Sequence, residues 1–173
     1  MQLRTQRLLL REWRESDREP MAQINRDPRV TEFLNQRADR KSLRAFDAWL
    51  ASHWERFGFG VWAVECRVEP MRGVLLGFTG IAFPEFVPQL ASRPELGWRL
   101  ASGAWGQGFA SEAAAAARDD AFGRLALPEL ISLIDERNVR SQRVAEKVGM
   151  TQTGESVLNA AQGNMVDIWQ LPA

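Results

Sequence analysis

Three glycines, Gly103, Gly106 and Gly108, stand between a strand-like segment, Glu95-Leu-Gly-Trp-Arg-Leu100, and an alanine-rich one, Ala110-Ser-Glu-Ala-Ala-Ala-Ala-Ala117. Without a Cβ, such a backbone turns tightly and lets a ligand come close. The helix expected after the turn opens with unpaired amide N–H groups, and its dipole adds positive potential there. Strand, glycine turn and helix N-terminus together suit a phosphate or pyrophosphate.

Two common phosphate loops do not match. A Walker A loop ends in Gly-Lys-Ser/Thr, whereas Gly108 is followed by Phe109 and Ala110. A dinucleotide fingerprint would need Gly or Ala at Ser111 and an earlier place in the chain.

The elements that must hold this turn read as one α+β unit. Leu8 to Trp13 is strand-like, and Ser16-Asp17-Arg18-Glu19 has the form of a capping box, with Pro20 an alternative mark of the same helix start. Asp27-Pro28 ends that helix. Leu43, Phe46, Leu50, Trp54 and Phe57 recur at helical spacing and predict a helix from Asp39 to Phe57. Phe59 to Cys66 and Val74 to Phe83 predict a hairpin turning at Glu69 to Gly73. A proline-bounded loop, Pro84 to Pro94, leads to a strand from Glu95 to Ala101, then turn and helix from Gly106 to Leu125. A strand from Leu130 to Asp135 follows, then a helix from Val139 to Val148 closed by Gly149. Strands at Thr151 to Val157 and Met165 to Leu171 finish the sheet. On the helix after the glycine turn, Ala110, Ala113, Ala114, Ala117 and Ala121 share a face, which lets it lie close on the sheet.

Composition excludes several classes. Twenty-two basic and 22 acidic residues leave no net charge to draw nucleic acid or a membrane surface. One cysteine, Cys66, rules out an internal disulfide and a multi-cysteine metal site. No apolar run has membrane-spanning length and the start lacks a signal-peptide core, so the expectation is a cytoplasmic protein folded as a single domain over 1–173.

Trp105-Gly106-Gln107-Gly108-Phe109-Ala110 resembles the acyl-CoA pyrophosphate loop of the GNAT N-acetyltransferases, usually Arg/Gln-x-x-Gly-x-Gly/Ala. Gly108 and Ala110 match, and Trp105 replaces the polar first position. A second block runs Asn138-Val139-Arg140-Ser141 and on through Arg143 to Met150. The start, Leu3-x-Thr5-x-Arg7-Leu8-Leu9-Leu10-Arg11, is a third. All three are similar to the branch that includes the ribosomal-protein N-terminal acetyltransferases, and the resemblance covers nearly the whole chain.

The resemblance implies an α+β, three-layer αβα-like fold. It predicts a mixed, largely antiparallel sheet of six to seven strands, splayed at its centre and flanked by about four helices. It implies acetyl-CoA as cosubstrate, no metal, and a primary amine as acceptor: a protein N-terminus or a small amino compound. Gly106, Gln107, Gly108, Phe109 and Ala110 would hold the pyrophosphate, with the Ser111 hydroxyl as an extra donor. The strands Glu95–Leu100 and Leu130–Asp135 would part to admit the pantetheine arm, which pairs with free backbone groups near Trp98, Arg99 and Leu100. An amide there would polarise the thioester carbonyl. Gly97 would leave room near a bulge. Asn138 would bind pantetheine or water, and Asn is also a preferred N-cap.

Acetyl transfer to an amine needs a base for the amine and an acid for the departing thiolate. Many members of the family use a tyrosine as the acid, and this chain has none. Ser141 stands i to Val144, Ala145 and Val148, faces inward on that spacing, and is the leading substitute. Glu95 shares a strand face with Gly97 and Arg99. A partly buried carboxylate there has a raised pKa and is the candidate base. Glu32, Phe33 and Glu85 are candidates for the acceptor mouth, and Trp49, Trp54 or Trp62 for its wall. His53 reads as a half-buried helical histidine, and Cys66 as a strand residue with no catalytic partner. A longer acyl donor such as succinyl-CoA would use Arg99. Exposed strand edges are compatible with a homodimer. The competing reading is a catalytically silent acyl-CoA-binding module or sensor.

Overall fold

The computed structural model describes residues 1–34, 40–159 and 163–173, the side chains of 40–47 excepted. Eight strands form one sheet: β1 (Gln2–Arg4), β2 (Leu8–Arg11), β3 (Val61–Cys66), β4 (Leu75–Ala82), β5 (Glu95–Leu100), β6 (Glu129–Ile134), β7 (Thr151–Asn159) and β8 (Asn164–Pro172). Their order is β1-β2-β3-β4-β5-β6-β8-β7, antiparallel except for the parallel pair β5–β6. The helices are α1 (Arg18–Arg26), α2 (Pro28–Thr31), α3 (Arg40–Phe57), α4 (Phe109–Gly123) and α5 (Val139–Lys147).

This is the α+β fold the sequence implied, with one strand more than the six to seven expected and one helix more than four. The extra strand, β1, is three residues long and carries no periodic signal; it is held by pairing Leu3 with Leu10. The extra helix follows from Asp27. Its side chain accepts the Arg29 N–H at 3.0 Å and caps α2 with Pro28 at the first position, so the residues read as a stop also restart the chain. The capping box at Ser16 is replaced by Asp17, whose carboxylate accepts the Arg14 N–H at 2.8 Å. Asp39, Leu43 and Phe46 of the expected α3 stripe lie outside the described residues or side chains; Leu50 is buried as expected.

Helix α4 covers the centre of the sheet. Phe109 and Ala113 pack on Leu8, Leu10, Val64, Leu76 and Leu100. Ala114, Ala117 and Ala121 pack on Leu96, Leu130, Ala145 and Val148. Those four alanines are at most 1% exposed, so the helix backbone rides close to the strands and spans both halves of the sheet. Ala110, expected on this face, is half-buried. On the opposite side Met21, Ile24 and Val30 cover Ala63 and Leu75. There Arg11, 6% exposed, pairs with Asp17 at 2.7 Å and Glu65 at 2.6 Å, which ties the start of α1 to β3. No helix among the described residues is long and apolar enough to cross a membrane.

Candidate active site

Strands β5 and β6 meet in register at Glu95 and Ile131, where the Ile131 N–H donates to Pro94 O at 2.9 Å. One step on, the Ser132 hydroxyl bridges to Leu96 O at 2.6 Å. A side chain has replaced a backbone bond, which marks the strands as parting. Peptide groups alternate in direction along a strand. Pro94, Leu96, Trp98 and Leu100 therefore turn their backbone groups to the β6 side. Leu100 O is taken by the Trp105 indole N–H at 2.9 Å. The edge at Trp98 thus faces the gap between these two tied points.

Glu95 sits at the fork itself. The nearby Leu133 backbone N–H favours its charged form, yet burial dominates and raises its pKa to about 7. Glu95, Gly97 and Arg99 share the α1 face, as their alternation predicted: the Arg99 guanidinium reaches Asn25 Oδ1 at 2.8 Å and lies over the Phe78 ring. Burial lowers its pKa to about 10. The bulge expected near Gly97 is absent, because β4 and β5 keep an unbroken register from Gly77↔Leu100 to Ala82↔Glu95. The room there comes from the parting strands: a Cβ on Gly97 would meet nothing within 4 Å.

Beyond β5 the chain enters the glycine turn. Gly106 and Gly108 have φ of +76° and +81°, a left-handed backbone that costs other residues about 1–2 kcal/mol. Gly108 is the residue before the first turn of α4. The N-terminal segment braces this turn. Arg7 Nη1 donates to Gln107 O at 2.9 Å and Arg7 Nε to Glu112 Oε2 at 2.7 Å, with the guanidinium over the Phe109 ring. The Arg7 N–H and the Thr5 hydroxyl also donate to Glu112, at 2.8 and 2.5 Å. Burial pushes the Glu112 pKa up, but these donors outweigh it and hold it below the ordinary value. The motif at Thr5 and Arg7 and the glutamate at Glu112 are therefore one structural unit.

Helix α5 begins on the far side of the gap. Asn138 caps it, its Oδ1 accepting the Ser141 N–H at 3.2 Å. Val144, Ala145 and Val148 enter the core beneath, which leaves half-buried Ser141 at the cavity wall. Arg140 stacks on Trp105 with Cζ 4.4 Å from the ring and reaches Glu32 at 3.3 Å.

These elements enclose one cavity of about 890 Å³. It brings together Phe33, Glu95, Trp98, Arg99, Leu100, Gly106, Gly108, Phe109, Ala110, Ser111, Asn138 and Ser141. Gln107, Glu32 and Glu85 do not line it. Gln107 folds back, its side chain donating to Gly103 O at 3.0 Å. Exposed Glu85 pairs with Arg56 at 2.9 Å. Of the three candidate tryptophans Trp49 lines the cavity, whereas Trp54 and Trp62 pack edge to face in the core, 4.5 Å between centroids. His53 is buried rather than half-buried. Its Nδ1 meets Phe59 O at 2.8 Å, so it carries the hydrogen, and Nε2 accepts the Phe83 N–H at 3.1 Å. Burial lowers its pKa, consistent with a neutral ring.

Sequence reasoning missed Asn25, Phe78, Asp135 and the Leu133 amide. Asp135 lines the cavity but is matched by Arg137 and Asn164, each at 2.8 Å, and its pKa is held well below the ordinary range, first by Arg137. No local pattern signals any of these, since each acquires its place from a distant element.

The family model of the acetyltransferase (GNAT) domain matches residues 7–151. The Bacillus subtilis (strain 168) protein YkkB is 32% identical over 124 residues, 72% of this chain and 69% of that protein. The crystal structure of an acetyltransferase from Agrobacterium tumefaciens str. C58 superposes with a TM-score of 0.84 at 29% identity, covering 100% of this chain and 95% of the other. RimL, a ribosomal-protein alpha-N-acetyltransferase solved with coenzyme A, shares the fold with a TM-score of 0.74 at 16% identity, covering 99% and 98%. A parted β5–β6 pair, a glycine turn at the head of α4 and a match across most of the sequence agree: the chain belongs to the GNAT acetyltransferases.

Proposed function

We propose that this chain, one catalytic domain over residues 1–173, moves an acetyl group from acetyl-CoA to a primary amine by direct attack in a ternary complex. The observation that carries this reading is Glu95, a half-buried carboxylate with a pKa of about 7 at the fork of the same cavity that the glycine turn closes. Acetyl-CoA supplies a thioester, whose carbonyl carbon is attacked and whose sulfur leaves.

The residues fit such a donor. The left-handed turn at Gly106 and Gly108 and the unpaired amides at the head of α4 form an anion cradle, and the Trp98 edge can pair with an amide-bearing arm. The acceptor amine arrives as an ammonium and must lose a proton to become a nucleophile. Glu95 takes it, directly or through one water, and a pKa near neutrality suits that exchange. A backbone N–H at the Trp98 edge stabilises the charge that develops on the carbonyl oxygen. The Ser141 hydroxyl, on the opposite wall, donates a hydrogen bond to the departing sulfur in place of the absent tyrosine. Phe33 and Trp49 give the acceptor side an apolar wall, which suits an amine carried on an apolar body, whether a peptide N-terminus or a small compound.

Calorimetric titration with acetyl-CoA followed by a thiol-release assay across amines and N-terminal peptides tests this. Binding with amine-dependent CoA release is expected. Binding without release from any acceptor would favour a silent acyl-CoA-binding module, and no binding would overturn the reading of the turn.

A further inference from the structure

One face of β5 carries three cavity residues of different kinds, Glu95, Gly97 and Arg99. Alternate strand positions share a face, so the three stand in a row, with the Cα atoms of Glu95 and Arg99 about 13 Å apart. Between them a Cβ on Gly97 would meet nothing within 4 Å, and the residue paired with it on β4 is Gly80. The row is therefore open in the middle, with a carboxyl group at one end and a guanidinium at the other. Two other arginines on the cavity wall are turned to acids, Arg29 to Asp27 at 2.8 Å and Arg140 to Glu32 at 3.3 Å.

Arg99 is half-buried and lies over Phe78, its partner on β4, with Nη1 donating to Asn25 Oδ1 at 2.8 Å. A guanidinium carries five N–H donors in a planar fork that matches a carboxylate, and the Asn25 amide NH2 brings two more to the same end. An acceptor that is only an ammonium would bring a second cation into a half-buried space that holds the Arg99 charge. An acceptor whose far end is a carboxylate sets its charges opposite to those of Glu95 and Arg99, which removes that cost. Strand side chains stand roughly perpendicular to the sheet, so a hydrogen bond of about 3 Å at each end leaves about 7 Å for the acceptor. That is the length of two extended residues, and an α-amino acid is too short for it.

We propose that Arg99, with Asn25, holds a carboxylate of the acceptor, which is an amino-acid derivative of about dipeptide length. Its amine lies at Glu95, its body crosses Gly97 and its carboxylate meets the guanidinium. The inference rests on the acetyl-transfer reading above. It makes Arg99 a specificity-determining residue and leaves the proton transfer to Glu95.

Alanyl-alanine and alanyl-alaninamide differ at the far end alone, so their acetylation by the full chain with acetyl-CoA isolates the contact. The acid should show a kcat/KM about tenfold above that of the amide, with the difference carried by KM. Arg99→Gln should bring the two acceptors level, and Arg99→Lys should keep part of the preference. The ratio of two acceptors is read in each variant, so a general loss of active protein does not imitate the result. Equal kcat/KM values in the unmodified protein, or a preference that survives Arg99→Gln, would overturn the carboxylate site while leaving acetyl transfer intact. So would acetylation of other amines but of neither dipeptide. If Arg99→Gln instead removes a preference for succinyl-CoA over acetyl-CoA, the carboxylate is the donor's and the acceptor assignment falls. Acetyl-CoA binding with no CoA release from any amine would overturn the transfer reading itself, and the site with it.

Discussion

The backbone amide of Leu133 lies beside the carboxylate of Glu95 at the point where β5 and β6 stop pairing. In an unbroken parallel pair that amide would meet a carbonyl of β5. Here the strands diverge, and the Glu95 carboxylate stands beside it instead. The amide favours the ionised carboxylate but does not offset its burial, which raises the pKa to about 7. The fork that opens the cavity thus also tunes the residue placed to work in it.

Glu95→Gln should reduce kcat/KM by about 10²-fold or more, the scale of a lost general base, and sparing of the acetyl-CoA Kd is expected. In the unmodified enzyme the rate should climb with pH through about 7. Loss of that limb in the variant is the signature; a retained limb would remove Glu95 from the role.

The same residue makes a stability prediction. Its folded-state pKa of about 7 lies above the ordinary value of 4.5, so the folded chain holds the proton more tightly than the unfolded one. That contribution is fully present below the ordinary value and is lost as pH rises through about 7. Melting curves of Glu95→Gln and the parent should therefore separate in favour of the variant as pH is raised from about 5 to about 8. A constant gap would contradict the shift.

Ser141→Ala should slow turnover about tenfold while changing acetyl-CoA affinity little, since Asn138 caps α5 through the Ser141 backbone N–H and not its hydroxyl. Single-turnover rates measured beside binding isotherms separate the two. An unaltered rate would hand the acid role to water.

At Gly108 any side chain meets a left-handed backbone, and a Cβ would stand 3.3 Å from Arg7 Nη2. Gly108→Trp should weaken acetyl-CoA binding about 100-fold with the circular dichroism spectrum retained. Unchanged affinity would end the assignment of the turn.

Arg7→Met removes the guanidinium from Glu112 and from Gln107 O. A half-buried carboxylate losing a charged donor costs about 1 kcal/mol, so the melting temperature should drop. Acetyl-CoA affinity should drop with it, because the turn loses its brace. A stability loss with no change in affinity would confine Arg7 to a purely structural part.

Much of this was legible from local pattern. The glycine spacing, the alanine face of α4 and the Asn138 cap are set by residues a few positions apart, so short-range stereochemistry suffices to read them. Glu95 and Ser141 line the cavity because strand and helix periodicity determine which way a side chain points. Glu32 and Glu85 were read as acceptor-site residues from their place in the chain, yet each is turned to an arginine, Arg140 and Arg56, that arrives from another element. The short β1 was missed because three residues carry no period, and α2 because Asp27-Pro28 reads as an end.

The family and most of the cavity-wall residues thus follow from the order of residues, since turns, caps and faces depend on neighbours in the chain. Long-range packing settles the rest. Thr5 and Arg7 meet Glu112 more than a hundred residues away. Burial from several elements at once sets the protonation of Glu95. Burial and partnership are properties of assembled surfaces, and no stretch of sequence contains both sides of such a contact.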